Sequence, residues 1–165
     1  MATPTSLPAT FVAGNVLTAA QMNDLRGAFR ILQVVQTEYS SVFSTTSTSF
    51  VDVTGLEVTI TPTSATSKVL LLANGAGEVS ANRLEFFTLF RGGASTGTNL
   101  GNGTNGFGST YQGIRTFFSI AYVDSPATTS ATTYNVAIRS DNASGSVSVM
   151  NGSMKNTILA LEVSA

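Results

Sequence analysis

The chain has 165 residues, 42% hydrophobic and 10% charged, with a formal net charge of -1, which suits one domain with a real core plus an arm. It contains no histidine, cysteine or tryptophan, so Ser-His-Asp and Cys-His catalysis, histidine or thiolate zinc sites and disulfides are excluded. Its bulk is hydroxyl and glycine: 24 Thr, 20 Ser and 15 Gly against two Lys and six Arg, the composition of an all-β chain. The arginines, at 26, 30, 83, 91, 115 and 139, are scattered, so nothing gathers phosphates and no nucleic-acid partner is expected. The longest wholly apolar run, Val69 to Ala73, falls far short of the roughly 20 residues of a membrane-spanning helix, and no membrane insertion is expected. The opening MATPTSLPATFVAG has no basic residue and no sustained apolar stretch, and does not read as a secretory signal.

In chain order, residues 1–17 carry Pro4 and Pro8 and no amphipathic period, which predicts an extended arm. Thr18 then stands as a helix N-cap with Gln21 completing a capping box, and Leu17 and Met22 form a hydrophobic staple. Met22, Leu25 and Phe29 follow on one stripe of a helix predicted from Ala19 to near Arg30. So short a helix needs a partner surface. Residues 1–30 are therefore expected to be an arm plus a short helix whose apolar stripe, with Leu17, packs either on its own domain or on a neighbouring subunit, and residues 31–165 a separate β-domain.

From Ile31 the period changes to two. Leu56 to Thr61 alternates strictly, and Tyr134 to Arg139, Val147 to Val149 and Leu159 to Val163 repeat the pattern, predicting strands with one wet face, with Glu57 and Glu162 on it. Val69 to Leu72, Leu84 to Phe90 and Phe117 to Val123 are apolar on both faces, which predicts cover from both sides and hence a homo-oligomer. Turn signals at Thr61-Pro62-Thr63-Ser64, Asn74-Gly75, Asp124-Ser125-Pro126, Asp141 to Gly145 and Asn151-Gly152-Ser153 leave room for about eight strands of an antiparallel β-sandwich. Gly92 to Gly108 is a seventeen-residue loop of small residues, expected to be an exposed tip.

Gly101-x-Gly103-x-x-Gly106 spells a dinucleotide fingerprint, yet it leads into a strand instead of a helix, so no cofactor is expected. The nine acids stand singly and are better read as solvated or rim-paired than as a glycosidase pair. Asp141-Asn142 lacks the spacing of a calcium loop, and no metal is expected. No catalytic residue is assigned and the chain is expected not to be an enzyme.

Two stretches resemble small virion proteins of tailed bacteriophages, of the tail-fibre, collar and capsid-surface type. Phe11 to Phe29, through Thr18, Ala19, Ala20, Met22 and Asn23, is similar to N-terminal docking segments of phage fibre and minor tail proteins. Ile31 to Ala73, through Thr48 to Leu56, Ile60-Thr61-Pro62 and Ser67-Lys68-Val69-Leu70, looks like the opening strands of phage structural β-sandwiches. The resemblance implies a jelly-roll-like domain, a trimer, residues 1–30 as a docking segment that buries Leu17, Met22, Leu25 and Phe29 against the particle or a neighbouring subunit, other virion proteins as partners, assembly in the host cytoplasm and exposure on the particle. It frames two expectations: a structural or decorative component, or a receptor-binding tip for host carbohydrate that uses Asn99, Asn102, Asn105, Phe107 and Tyr111 of the long loop and its exit. A glycan-cleaving depolymerase, which needs two carboxylates in one cleft, ranks below both.

Overall fold

The computed structural model describes residues 16, 18–19, 31–80, 82–111, 115–149 and 154–164. The predicted arm and helix, with Leu17, Met22, Leu25 and Phe29, lie outside the described residues except at Val16, Thr18 and Ala19, as does the turn signal Asn151-Gly152-Ser153. From Ile31 the described elements are strands: β1 (Ile31–Tyr39), β2 (Phe43–Thr45), β3 (Val51–Ile60), β4 (Lys68–Val79), β5 (Leu84–Arg91), β6 (Thr98–Asn99), β7 (Gly108–Tyr111), β8 (Thr116–Asp124), β9 (Thr132–Ser140), β10 (Val147–Val149) and β11 (Asn156–Val163).

These form two antiparallel sheets of a β-sandwich. Sheet A joins β1, β11, β4, β10, β2 and β8, and sheet B joins β3, β9, β5, β6 and β7. Eleven strands replace the expected eight because some lines of strand are broken: β11 and β10 share one edge of β4, β1 and β2 lie against them in turn, and β7 and β6 share one edge of β5. Taken as rows, sheet A reads β1/β2, β11/β10, β4, β8 and sheet B reads β3, β9, β5, β6/β7. The first row thus pairs with the last, the second with the seventh, the third with the sixth and the fourth with the fifth, a long antiparallel hairpin rolled into two layers.

Period-two patterning builds the core between the layers. Leu56, Val58 and Ile60 of β3 point inward while Glu57, Thr59 and Thr61 stay exposed, as expected. They meet Val69, Leu71 and Ala73 of β4, Phe118 and Ile120 of β8 and Ile158 and Ala160 of β11 in one buried cluster. Each such side chain contributes about 1.5–3 kcal/mol on burial, apart from the smaller alanines.

Several expectations are corrected. Asn74-Gly75 is no turn: β4 runs straight through it, and a Cβ at Gly75 would lie 2.5 Å from Asn156 Oδ1 and 2.6 Å from Phe118 Cε1. The glycine is there for close approach, and that vacant space lets Asn156 Oδ1 accept the buried Ala76 N–H at 2.8 Å, where the β11/β10 row is broken. Strand β9 has no wet face between Tyr134 and Ile138, since Asn135 and Ala137 are buried with the others. β11 is inverted: Glu162 and Ala160 face the core, and Leu159, Leu161 and Val163 face outward, half-buried. β5 is covered on both faces, but by its own chain, because Phe50, Arg139 and the long loop lie over Phe86, Thr88 and Phe90. β8 is covered on one face only, with Phe117 75% and Val123 51% exposed.

Gly92 to Gly108 is exposed as expected at Asn102 to Asn105, but it is tethered to the sheet. It returns along β5: Leu100 N–H donates to the Leu89 carbonyl at 2.9 Å and Phe107 N–H to the Phe87 carbonyl at 2.8 Å. Leu100 packs against the core, and Asn102 and Gly106 form a β-bridge.

Candidate docking and recognition surfaces

Cross-strand register sets the outer face of sheet A. Val34 pairs with Leu161, Leu161 with Leu70 and Leu70 with Val123, so one apolar row crosses β1, β11, β4 and β8. The next row is Gln36, Leu159, Leu72 and Ala121, and the one after it is wholly polar: Glu38, Thr157, Asn74 and Ser119. The face therefore grades from apolar, at the end where Ile31 joins the N-terminal segment, to polar at the other end. Ile31, Leu32 and Val34 are all exposed there, Val34 by 56%.

The inversion of β11 creates this surface, and Glu162 holds the inversion in place. Its side chain is fully buried, and it accepts Gln33 Nε2 at 2.7 Å, the Thr63 backbone N–H at 2.7 Å and the Thr63 hydroxyl at 2.8 Å. Burial raises its pKa, but hydrogen bonds from Gln33 and from the Thr63 side chain and backbone outweigh that and hold it at about 2. It stays ionised, tying β1 and the β3–β4 turn to β11. Nearby, Asp124 Oδ2 accepts the Tyr134 hydroxyl at 2.8 Å and Arg91 Nη1 at 2.9 Å, linking the two sheets. Burial, with the hydrogen bond and charge of Asp124, pushes the Tyr134 phenol far up, so it remains a donor.

At the opposite end Glu85, also fully buried, is a different case. Neither carboxyl oxygen has a hydrogen-bond partner among the described residues, and desolvation raises its pKa to about 9. It is neutral at pH 7. Gly77 makes its space: a Cβ there would lie 2.3 Å from Glu85 Oε2 and 2.6 Å from Phe87 Cζ.

A groove of about 530 Å³ lies on the outer side of sheet B, lined by Thr48, Phe50, Phe90, Asn99, Thr104 and Arg139 among others. Phe50 and Phe90 meet edge to face at 6.1 Å, and the Arg139 guanidinium sits 4.0 Å over Phe86 and 5.5 Å over Phe50. Arg139 donates to the Thr104 and Ser140 carbonyls, and desolvation lowers its pKa, so its role is to hold the loop over β5.

Of the loop residues expected to recognise a ligand, only Asn99 lines this groove. Its Oδ1 accepts the Thr88 hydroxyl at 2.6 Å and the Gly101 N–H at 3.0 Å. Asn102 caps the backbone of Thr104 and Asn105 within the loop tip. Phe107 packs on Tyr122 at 5.4 Å, and Tyr111 is exposed at the end of β7. The five do not form one site. Phe50 and Arg139 were invisible to a reading confined to the loop, because long-range pairing brings them there, and the outer row of sheet A depends on a register that alternation alone does not fix.

No protein-family model matches the chain, and no characterised protein matches it in sequence. Among solved structures, it is similar to one of infectious bursal disease virus Gx strain, at 13% identity and a TM-score of 0.43, over 79% of this chain and 41% of that one. A second, of infectious bursal disease virus Gt strain, is similar at 12% identity and a TM-score of 0.39, over 79% and 40%. The chain spans about two fifths of the length of each.

Proposed function

We propose that this chain is a non-enzymatic structural component of a virion, of the tailed-phage accessory type. It docks through its N-terminal segment and the adjoining outer face of sheet A, and displays the remaining sandwich outward on a particle assembled in the host cytoplasm. The observation that carries the reading is the unbroken row Val34, Leu161, Leu70 and Val123, adjoined by Ile31 and Leu32. A contiguous apolar strip across four strands marks an interaction surface rather than a solvated one. Leu17, Met22, Leu25 and Phe29 give the preceding segment its own apolar stripe.

Two further observations support it. The pairing of first row with last, second with seventh, third with sixth and fourth with fifth is the order of a jelly roll, an architecture that viral capsid and lectin domains share. This is a fold-level analogy. Four of the described carboxylates, too, are engaged in holding structure: Asp52 accepts the Ala94 N–H, Glu57 accepts Asn135, Asp124 binds Arg91 and Tyr134, and Glu162 binds Thr63. The test is Leu25→Asp: the chain is expected to fold normally and fail to enter particles, and normal incorporation would refute docking through the N-terminal segment.

The groove favours a second reading, a receptor-binding component for host surface carbohydrate. Phe50 and Phe90 offer ring faces and edges, and Thr48, Asn99 and Thr104 offer neutral hydrogen-bonding groups, a combination suited to a sugar ring. Under this reading Phe50→Ala abolishes adsorption to host cells but not assembly.

A further inference from the structure

A sandwich of two open sheets has four edges, and three of these are guarded against pairing. The β1 edge has a register shift between Ile31 and Gln33 and the charged pair Glu38–Lys155, 2.7 Å. On β3, pairing breaks between Asp52 and Glu57 around Gly55, whose φ is +92°. The β6/β7 edge consists of strands of two and four residues separated by the Leu100 to Phe107 stretch. Short strands, bulges and charges are the usual devices that keep an edge from recruiting another chain.

Between Phe117 and Val123 the β8 edge has none of them. It pairs with β4 in unbroken register from Thr116–Gly77 to Asp124–Val69, and its other edge meets no strand among the described residues. Phe117 to Val123, FFSIAYV, contains no charge, proline or glycine. Phe107 packs against Tyr122 from the inner side while giving its own N–H to Phe87, so it does not pair with this edge.

We infer that β8 is a self-pairing edge: a second copy of this chain adds its own β8 antiparallel about a two-fold axis at Ile120, joining the two A sheets into one. The sequence is complementary to itself in that register. Phe117 falls opposite the partner's Val123 and Ser119 opposite the partner's Ala121, so the most exposed aromatic and the exposed valine of this edge cover each other. The apolar row then continues from Leu70 and Val123 onto the partner's Phe117, and no like charges are brought together between Phe117 and Val123. Nine residues extend for about 30 Å. Pairing covers the free backbone edge and the outward side chains of Phe117 and Val123, the inner-face Phe118 and Ile120 being buried already, and the contact is isologous and closed. The result is a dimer, in place of the trimer that the phage resemblance implies.

The experiment is the mass of the full chain in solution, by sedimentation equilibrium at micromolar concentration. The wild type is expected to be a dimer. Phe117→Lys is expected to be monomeric with an unchanged circular dichroism spectrum and a melting point that no longer depends on protein concentration, and Phe117→Lys/Val123→Asp to regain the dimer through two Lys–Asp contacts, in a salt-sensitive way. If Phe117→Lys does not fold, Ala121→Lys, also outward and exposed, serves in its place and is expected to be monomeric. A monomeric or trimeric wild type, an outward-facing lysine variant that folds and still associates, or a double variant that stays monomeric overturns the inference. The mass is read without any particle, so docking can fail while the dimer stands.

Discussion

Glu162 lies inside the sandwich with its Oε1 on the Thr63 backbone N–H, 2.7 Å away, while its neighbour Leu161 faces outward beside Val34 and Leu70. The acid takes the inward position and the leucine the outward one. A carboxylate buried with several donors stays charged and stabilises, whereas the same group without them would not.

Glu162 accordingly makes the fold sensitive to acid. Its pKa is about 2 in the folded chain against 4.5 ordinarily, so its stabilisation is complete above 4.5 and is lost as pH falls through the folded value. Glu162→Gln is expected to cost about 2–3 kcal/mol at pH 7 and to remove most of the decline between pH 4.5 and 2. Urea denaturation across that range checks it.

Glu85 has the opposite sign. Its folded pKa, about 9, exceeds the ordinary 4.5, so the folded chain retains a proton that the unfolded chain releases, and stability falls as pH rises from 4.5 toward 9. Glu85→Gln is expected to flatten that slope and to stabilise the protein at pH 8 by up to about 3 kcal/mol. A variant whose stability still falls in parallel with wild type contradicts this account of the burial.

Gly77→Ala pushes a methyl to within 2.3 Å of Glu85 Oε2 and is expected to destabilise by about 1–3 kcal/mol. Combined with Glu85→Ala it is expected to cost clearly less than the sum of the single changes, because the two groups compete for one space. Additive costs would place the strain elsewhere.

Much of the fold was legible. Leu56, Val58 and Ile60 announced β3 through alternation, and the turns after Thr61, Asp124 and Asp141 fall where their Pro, Asp and Asn residues suggested. Alternation gives a period but not a sign, so in Leu159 to Val163 polarity alone put Glu162 on the wet face, and the donors from Gln33 and Thr63, distant in sequence, turn it inward. Gly75 illustrates the same limit. Its lack of a side chain looks like a turn until Asn156 and Phe118 are seen to occupy the space. The groove likewise depends on Phe50 reaching Phe90, forty residues away.

The long loop, being tethered to the sheet, contributes to stability. Replacing residues 100–107 by a short turn removes the Leu100 and Phe107 backbone bonds to β5 and uncovers the core beneath Leu100. A loss of several kcal/mol is expected, measured by thermal unfolding. A variant as stable as wild type would return the loop to the status of a dispensable tip.

The outer face of sheet A is proposed as the docking surface on a particle. Its most direct test is the amount of Leu70→Lys/Leu161→Lys chain recovered in purified particles, beside wild type and with melting measured on the free protein. Both side chains are half-buried and outward, so the variant is expected to fold with only a modest loss of stability and to be absent from particles. A folded variant that enters particles as fully as wild type would contradict the account.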